Sequence, residues 1–339
     1  MPPLAKINPS FTDPDRQACR DFGDLALELN AAARGDFVAD LAHLTVLTFS
    51  GDDAGDFLQG QLSCDIEPLR QHPSSTFGAY CTPKGRILAS FLLWQSNGVW
   101  HMVLPRAIVA SVQKRLSMYV LRAKVRIAVS QTVVLIGLGG TTGQEALLKV
   151  AGMDPPAVHC VLMNENLTAV GLPRHRTLLM LPAHMAANIW EALSGSVQPT
   201  GTVAWEWTDI HSGIPWISAN TQDHFVPQMI NMELIGGVSF KKGCYPGQEI
   251  VARTQHLGKI KRRMYLAHAS AHAEAGNELH SDDVGGQSNG MVVNAVPNPQ
   301  GGSDMLVVVQ IESAETSSVH LMSSDGPLLE FKPLPYPVG

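Results

Sequence analysis

Several signatures are missing from this sequence, and each absence removes a class of protein. No apolar run approaches the roughly 18 residues that a membrane-spanning helix needs, so no membrane association is expected. The first residues carry neither the basic nor the apolar stretch of a secretory signal. Cysteine is scarce: Cys19, Cys64, Cys81, Cys160 and Cys244 are odd in number and widely spaced, without a C-x-x-C pair. That excludes a disulfide framework or a thiolate zinc site and fits the reduced thiols of a cytoplasmic protein. H-E-x-x-H, the Walker A loop and the G-x-S-x-G elbow are absent, so zincin, P-loop NTPase and serine hydrolase readings have no footing. Charged residues make up only 16%, and 24 Lys and Arg against 30 Asp and Glu give a net charge of -6. An acidic balance argues against direct nucleic-acid binding over the whole surface.

What is present is a chain of 339 residues, 45% of them hydrophobic, enough for two or three domains at roughly 150 residues each. Residues 1–40 are polar and turn-rich, turn helix-like around 25–33, and read as a leader packed on the main body. Asp52 and Asp53 suit the cap of a short helix with Phe57, Leu58 and Leu62 inward. A meander follows, with strands over 77–81, 86–94 and 99–104 joined by Pro83-Lys84-Gly85 and Asn97-Gly98. Ile108, Val112 and Leu116, four apart, mark a helix over 106–119. A second α/β cycle places strands at 133–138 and 177–181 and helices at 144–150 and 182–193. From about residue 262 the helical period disappears. Apolar runs at 264–267, 291–295, 305–311 and 319–322, separated by Gly, Pro, Asn and Ser, predict a small all-β barrel or sandwich. The fold class is α+β, with a body over 41–261 built of two similar halves and a C-terminal β domain over 262–339. Gly137, Gly139, Gly140 and Gly143 sit between a strand and a helix, but Thr142 interrupts the dinucleotide pattern and no acid follows at the required distance. They read as a flexible turn.

Chemistry concentrates in 236–263, GGVSFKKGCYPGQEIVARTQHLGKIKRR. Its glycines and Pro246 preset the backbone, Gln248 and Glu249 open a short helix with Ile250, Val251 and Leu257 inward, and Gly258 stops it. Cys244 lies just ahead of that helix, where the dipole and nearby cations favour a thiolate. Lys241, Lys242, Arg253, Lys259, Lys261, Arg262 and Arg263 stand against one acid, Glu249, and could also draw an anion. Two readings stay open: a working loop, which the glycines and charges favour, and a buried structural cysteine beside a solvated basic face. The tryptophans and thirteen histidines read as core and scattered structural residues.

The run Phe225-Val226-Pro227-Gln228, then Asn231, then Gly236 through Arg253 with its Lys242-Gly243-Cys244-Tyr245-Pro246-Gly247-Gln248-Glu249 core, resembles the signature of the YgfZ family. These are folate-binding proteins related to the aminomethyltransferase (T-protein) of glycine cleavage. Weaker likeness runs through Phe57–Leu62, Gly85–Leu88 and Ser212–Pro215. The resemblance implies a T-protein-like body around a folate-binding opening with a C-terminal barrel. It implies tetrahydrofolate as ligand, and a role in making or repairing iron–sulfur enzymes, tRNA-modifying ones included, as transient clients. It makes Cys244 the functional cysteine, with Lys242, Gly243, Tyr245, Gly247, Gln248, Glu249 and Arg253 as its supporting residues, and no permanently bound metal. The acid that T-proteins set at the folate nitrogen falls on Ser90, and their pterin-contacting glutamate on His211. An accessory protein is therefore expected ahead of the alternative, a folate-dependent one-carbon transferase, and of a third, an RNA-binding module built on 259–263.

Overall fold

The structure, a computed structural model, describes residues 9–13, 16–256, 258, 260–285 and 287–338. Leu257 and Lys259, assigned above to a buried face and a basic cluster, lie outside them. Among the described residues the chain runs α1 (Leu25–Arg34), β1 (Phe37–Asp40), β2 (Leu44–Ser50), α2 (Ala54–Gln61), α3 (Glu67–Gln71), β3 (Ser75–Cys81), β4 (Ile87–Ser96), β5 (Val99–Pro105), α4 (Arg106–Ser117) and β6 (Arg126–Val129). The next cycle is β7 (Val133–Gly139), α5 (Gly140–Ala151), β8 (Val161–Met163), β9 (Thr168–Leu172), β10 (Arg176–Pro182), α6 (Ala183–Ser194), β11 (Gln198–Thr200) and α7 (Thr202–His211). A long irregular stretch leads to α8 (Gln248–His256). There follow β12 (Arg262–Ala269), β13 (Glu278–Ser281), β14 (Ser288–Pro297), β15 (Ser303–Gln310), α9 (Ile311–Thr316), β16 (Val319–Leu321) and β17 (Glu330–Lys332).

The two halves share a strand plan. One sheet is ordered β3-β4-β5-β2-β6, the other β8-β9-β10-β7-β1-β11, so a meander flanks the first strand of each cycle in both. The difference is β1, which slips between β7 and β11, antiparallel to the first and parallel to the second. Residues 25–40 are thus an integral layer of the second half, not a leader lying on it. The Asp24 carboxylate caps α1 by accepting from the Leu27 N–H at 2.9 Å, and Gly35 ends it at φ 88°. The C-terminal strands form a curled half-barrel sheet, β16-β13-β14-β15-β12-β17.

Patterning predicted the strongly periodic elements well. Ile108, Val112 and Leu116 all face inward on α4, and Asn97-Gly98 closes its hairpin with both residues at positive φ. The predicted capping at 52–53 differs in its partner: Asp53 makes no cap bond and accepts instead from the Lys124 N–H at 2.7 Å. Predicted strand 305–311 stops a residue early because Ile311 opens α9. The glycine cluster serves close packing. A Cβ on Gly137 would sit 2.3 Å from the Trp205 ring and one on Gly139 2.2 Å from Phe37.

Helix α7 is the central pillar. Val203, Ala204, Trp205, Trp207 and Ile210 are all buried, and so are the polar Thr202, Thr208 and Asp209, so the helix has no exposed face to give a period. Its neighbours Phe37, Leu178, Val293 and Leu306 come from both the body and the half-barrel and belong to one continuous core.

Burial also fixes the protonation of several histidines. The His101 ring stacks on Trp94 at 5.5 Å, its Nε2 meets Ser96 Oγ at 2.8 Å, and desolvation lowers its pKa to about 4. A histidine depressed in the folded state binds its proton first in the unfolded chain, so stability present above about pH 6.5 drains away on acidification. Thermal melts should show a loss of about 2 kcal/mol from this one side chain by pH 5, and His101→Gln should flatten that part of the curve.

Candidate functional site

The motif stretches, far apart in sequence, gather in two places. The first surrounds Cys244. Ser63 Oγ donates to the Gly237 carbonyl at 2.6 Å, and the Ser239 N–H donates to the Ser63 carbonyl at 2.9 Å. Lys242 is buried, and its ammonium donates to the carbonyls of Leu62 at 2.7 Å and Cys64 at 2.9 Å. The Tyr245 ring lies 5.4 Å from that ammonium, a cation–π contact, and is itself buried. Burial lowers the pKa of Lys242 and raises that of Tyr245. Gly247, at φ 84°, presses on the Pro83–Gly85 turn, where a Cβ would stand 2.5 Å from the Thr82 carbonyl. The Gln228 amide then fixes α8 through the Val251 carbonyl at 2.7 Å, and Asn231 fixes β12 through that of Met264 at 2.9 Å. These bonds explain why Gln228 and Asn231 accompany the cysteine segment.

Within this frame Cys244 is exposed, with Gly243 and Glu249 also at the surface and Arg253 on the exposed side of α8. Gln248 reaches back to the Lys242 carbonyl at 3.5 Å. The sequence reading of one basic face needs correction. Lys242 spends its charge inward on two carbonyls, and Arg263 is buried in an ion pair with Glu233 while donating to the Gln228 carbonyl. Their positions in the chain could not reveal that, because backbone carbonyls and a distant carboxylate are their partners. The buried-cysteine alternative fits Cys64 and Cys81, whose thiols burial pushes up to about 12, and not Cys244.

The second place is a cavity of about 260 Å³ where the first half, α7 and the half-barrel meet. Leu44, Ile210, Ile214, Trp216 and Val296 give it apolar walls, and His43, Glu206, Asp209 and Asn294 bring polar groups. Asp209 is spent on Arg176 at 2.6 Å and on the Trp216 indole at 2.8 Å. Asn294 is spent on the backbone of Trp216 at 2.9 and 2.8 Å. Sequence reasoning overlooked His43 and Glu206 because a lone histidine and a single glutamate in a helix carry no motif. Cys244 does not line this cavity.

Ser90 and His211 turn out to be structural. The Ser90 hydroxyl donates to the Pro215 carbonyl and accepts from the Ile217 N–H, each at 2.9 Å. His211 Nε2 meets Asp304 at 2.8 Å. Among the described residues no group of three or more His, Cys, Asp or Glu is placed to hold a metal, and no helix is long and apolar enough to cross a membrane.

Two sheets of related strand order, a central helix and an appended curled half-barrel define an aminomethyltransferase-like fold. The chain superposes on the glycine cleavage system aminomethyltransferase T from Bartonella henselae with a TM-score of 0.76 over 95% of this chain and 92% of that one, at 14% identity. No family model matches. Curated relatives do. The tRNA-modifying protein YgfZ of Enterobacter sp. (strain 638) is 33% identical over 295 residues, 85% of this chain and 90% of that protein. That of Sodalis glossinidius is 30% identical over 87% of this chain and 91% of its own length. That of Yersinia pseudotuberculosis is 31% identical over 86% and 89%. The chain belongs to the YgfZ family.

Two outcomes test the site's architecture. In the native protein a thiol reagent should label Cys244 and Cys160 rapidly, while Cys64 and Cys81 react only after denaturation. Lys242→Met, which strands two buried carbonyls, should lower the unfolding free energy by about 2 kcal/mol in denaturant melts, while Lys241→Met at the exposed neighbour changes it by less than about 0.5 kcal/mol.

Proposed function

We propose that this chain is a tetrahydrofolate-binding accessory protein for the assembly or repair of iron–sulfur enzymes, tRNA-modifying enzymes among them, and that Cys244 is its reactive thiol. The observation that carries this reading is an exposed cysteine on a loop held rigid from beneath by the Lys242 ammonium, in a family whose curated relatives are named for tRNA modification. Such rigidity presents the sulfur to a partner at little further ordering cost on docking. Gly243, Tyr245 and Gly247 shape the loop, and Gln248, Glu249 and Arg253 supply the polar groups beside it. An iron–sulfur cluster ordinarily takes four cysteinyl ligands, so a single thiol can only share one with a client that provides the rest.

The folate part of the reading rests on the cavity. Its volume suits a bicyclic head group, smaller than the roughly 300–1,000 Å³ of sites that engulf a whole ligand. Neither ring nitrogen of His43 has a hydrogen-bond partner although both are buried, the mark of a site built to satisfy something else. Bound there, a reduced folate would supply one-carbon carrying capacity, and Glu206 and His43 are the residues free to hold its polar edge. One-carbon transfer is not favoured: Ser90 offers no carboxylate, and its hydroxyl is already spent on Pro215 and Ile217.

Cells lacking the endogenous family member and supplied with Cys244→Ala should fail to regain thiolated tRNA nucleosides by mass spectrometry. The purified variant should melt within about 2 °C of wild type, as befits a surface substitution. Full recovery with the alanine variant would remove the thiol from the mechanism.

A further inference from the structure

The polar inventory of the cavity separates spent groups from unspent ones. Asp209 and Asn294 are fully engaged with Arg176 and Trp216. His211, where the resemblance to T-proteins puts the pterin-contacting position, faces Asp304 and does not line the cavity. The Ser218 hydroxyl is paired with Thr221, which leaves two polar side chains of the lining, His43 and Glu206. Both His43 nitrogens are buried without a partner, and the Glu206 carboxylate lines the same space with Arg20 as the cation acting on it. One lies at the entry to β2 and the other on α7, so they approach the space from different elements. A neutral imidazole offers one donor and one acceptor, and an ionised carboxylate offers acceptors only. Together, between apolar walls that include Leu44, Ile214 and Trp216, they match a flat heterocycle whose edge carries N–H donors beside a ring acceptor.

We propose that Glu206 and His43, rather than His211, read the donor–acceptor edge of the heterocycle held in this cavity. The inference rests on the folate reading above and assigns it to residues of this chain that no motif marks. Such an edge satisfies the stranded imidazole, which otherwise costs stability. It also places N–H donors against Glu206, where an ionised acceptor makes hydrogen bonds about twice as strong as a neutral one.

The environment of Glu206 gives the recognition a pH signature. Burial raises its pKa to about 7; Arg20 pulls it down, and Asp209, one turn along α7, pushes it up. His43, desolvated and facing Arg106, is held to about 3 and stays neutral throughout the working range. The acceptor form of Glu206 therefore fills in as pH rises through neutrality, and a ligand that donates to it should bind more tightly at higher pH.

Calorimetric titration with tetrahydrofolate decides the matter. Wild type should gain about tenfold in affinity between pH 6 and pH 8, as the ionised fraction of Glu206 grows. Glu206→Gln should bind at least about tenfold more weakly at pH 8 and lose the pH dependence. His211→Asn, whose amide still offers an N–H to Asp304 and so keeps the joint, should bind within about threefold of wild type. His43→Leu should bind more weakly yet melt at or above the wild-type temperature, since it removes a stranded polar group; a merely structural histidine would lower stability and leave affinity alone. If wild type binds but Glu206→Gln binds equally well, or His211→Asn loses as much, the assignment falls and the folate reading stands. Normal binding by His43→Leu strikes His43 from the assignment. If wild type binds no tetrahydrofolate at all, both fall.

Discussion

The Asp304 carboxylate, sealed from solvent on β15, is the joint on which the rest of the molecule depends. It accepts from the Trp207 indole at 3.0 Å and meets His211 Nε2 at 2.8 Å, both on α7. From its own side of the junction, His268 Nδ1 at 2.9 Å and the Asn298 amide at 2.7 Å complete the set. Burial alone would push its pKa up, but the bonds from His211, His268 and Asn298 hold it well below the carboxylate range. A buried charge is tolerated only when its lone pairs are filled this completely. Because the donors come from α7 on one side and the half-barrel on the other, the carboxylate fixes the angle at which the barrel meets the body. The cavity walls follow from that angle, since Ile210 comes from α7 and Ala295 and Val296 from β14. The reciprocal bonds between Asn294 and the Trp216 backbone tie β14 to the stretch that follows α7.

The cysteine loop obeys a similar economy. Lys242 and Tyr245 face inward to brace the loop, and the sulfur stays outside with Glu249 and Arg253. Lys242 is the clearest instance: a cation beside a thiol in sequence, yet a buried brace for the carbonyls of Leu62 and Cys64 in space. The family motif is therefore largely a folding instruction. Ser63, Gln228, Asn231 and Gly247 tie the loop to α2, α8, β12 and the turn at 83–85, and each does so through backbone atoms that any side chains in the partner strand would present. The cavity, in contrast, is made of residues from widely separated segments that share no pattern.

Elements with one wet and one dry face were legible in the sequence. The meander of β3 to β5, the stripe of α4 and the strands of the half-barrel alternate or repeat as their exposure does. Elements dry on all sides were not. Strand β2 is buried along most of its length and α7 along nearly all of it, so neither shows a period, and β1 reads as the end of a polar leader until β7 and β11 enclose it. The site was half legible for the same reason. Cys244 stands in a dense motif, whereas His43 and Glu206 come together only where the first half, α7 and the half-barrel meet.

By itself the sequence determined the class of fold, the two-half plan with its appended β domain, the family, and the loop that carries the sulfur, because these rest on local periodicity and on contiguous residues that preset backbone shape. Tertiary structure alone decided which charges are spent and which are free. Lys242, Arg263, His211 and Ser90 are all claimed by partners tens to hundreds of residues away, while Cys244 is left exposed and both ring nitrogens of His43 are left without a partner. Whether a polar group is available for chemistry depends on what lies within about 3 Å of it, and proximity at that scale is set by packing between segments, which order along the chain does not encode locally.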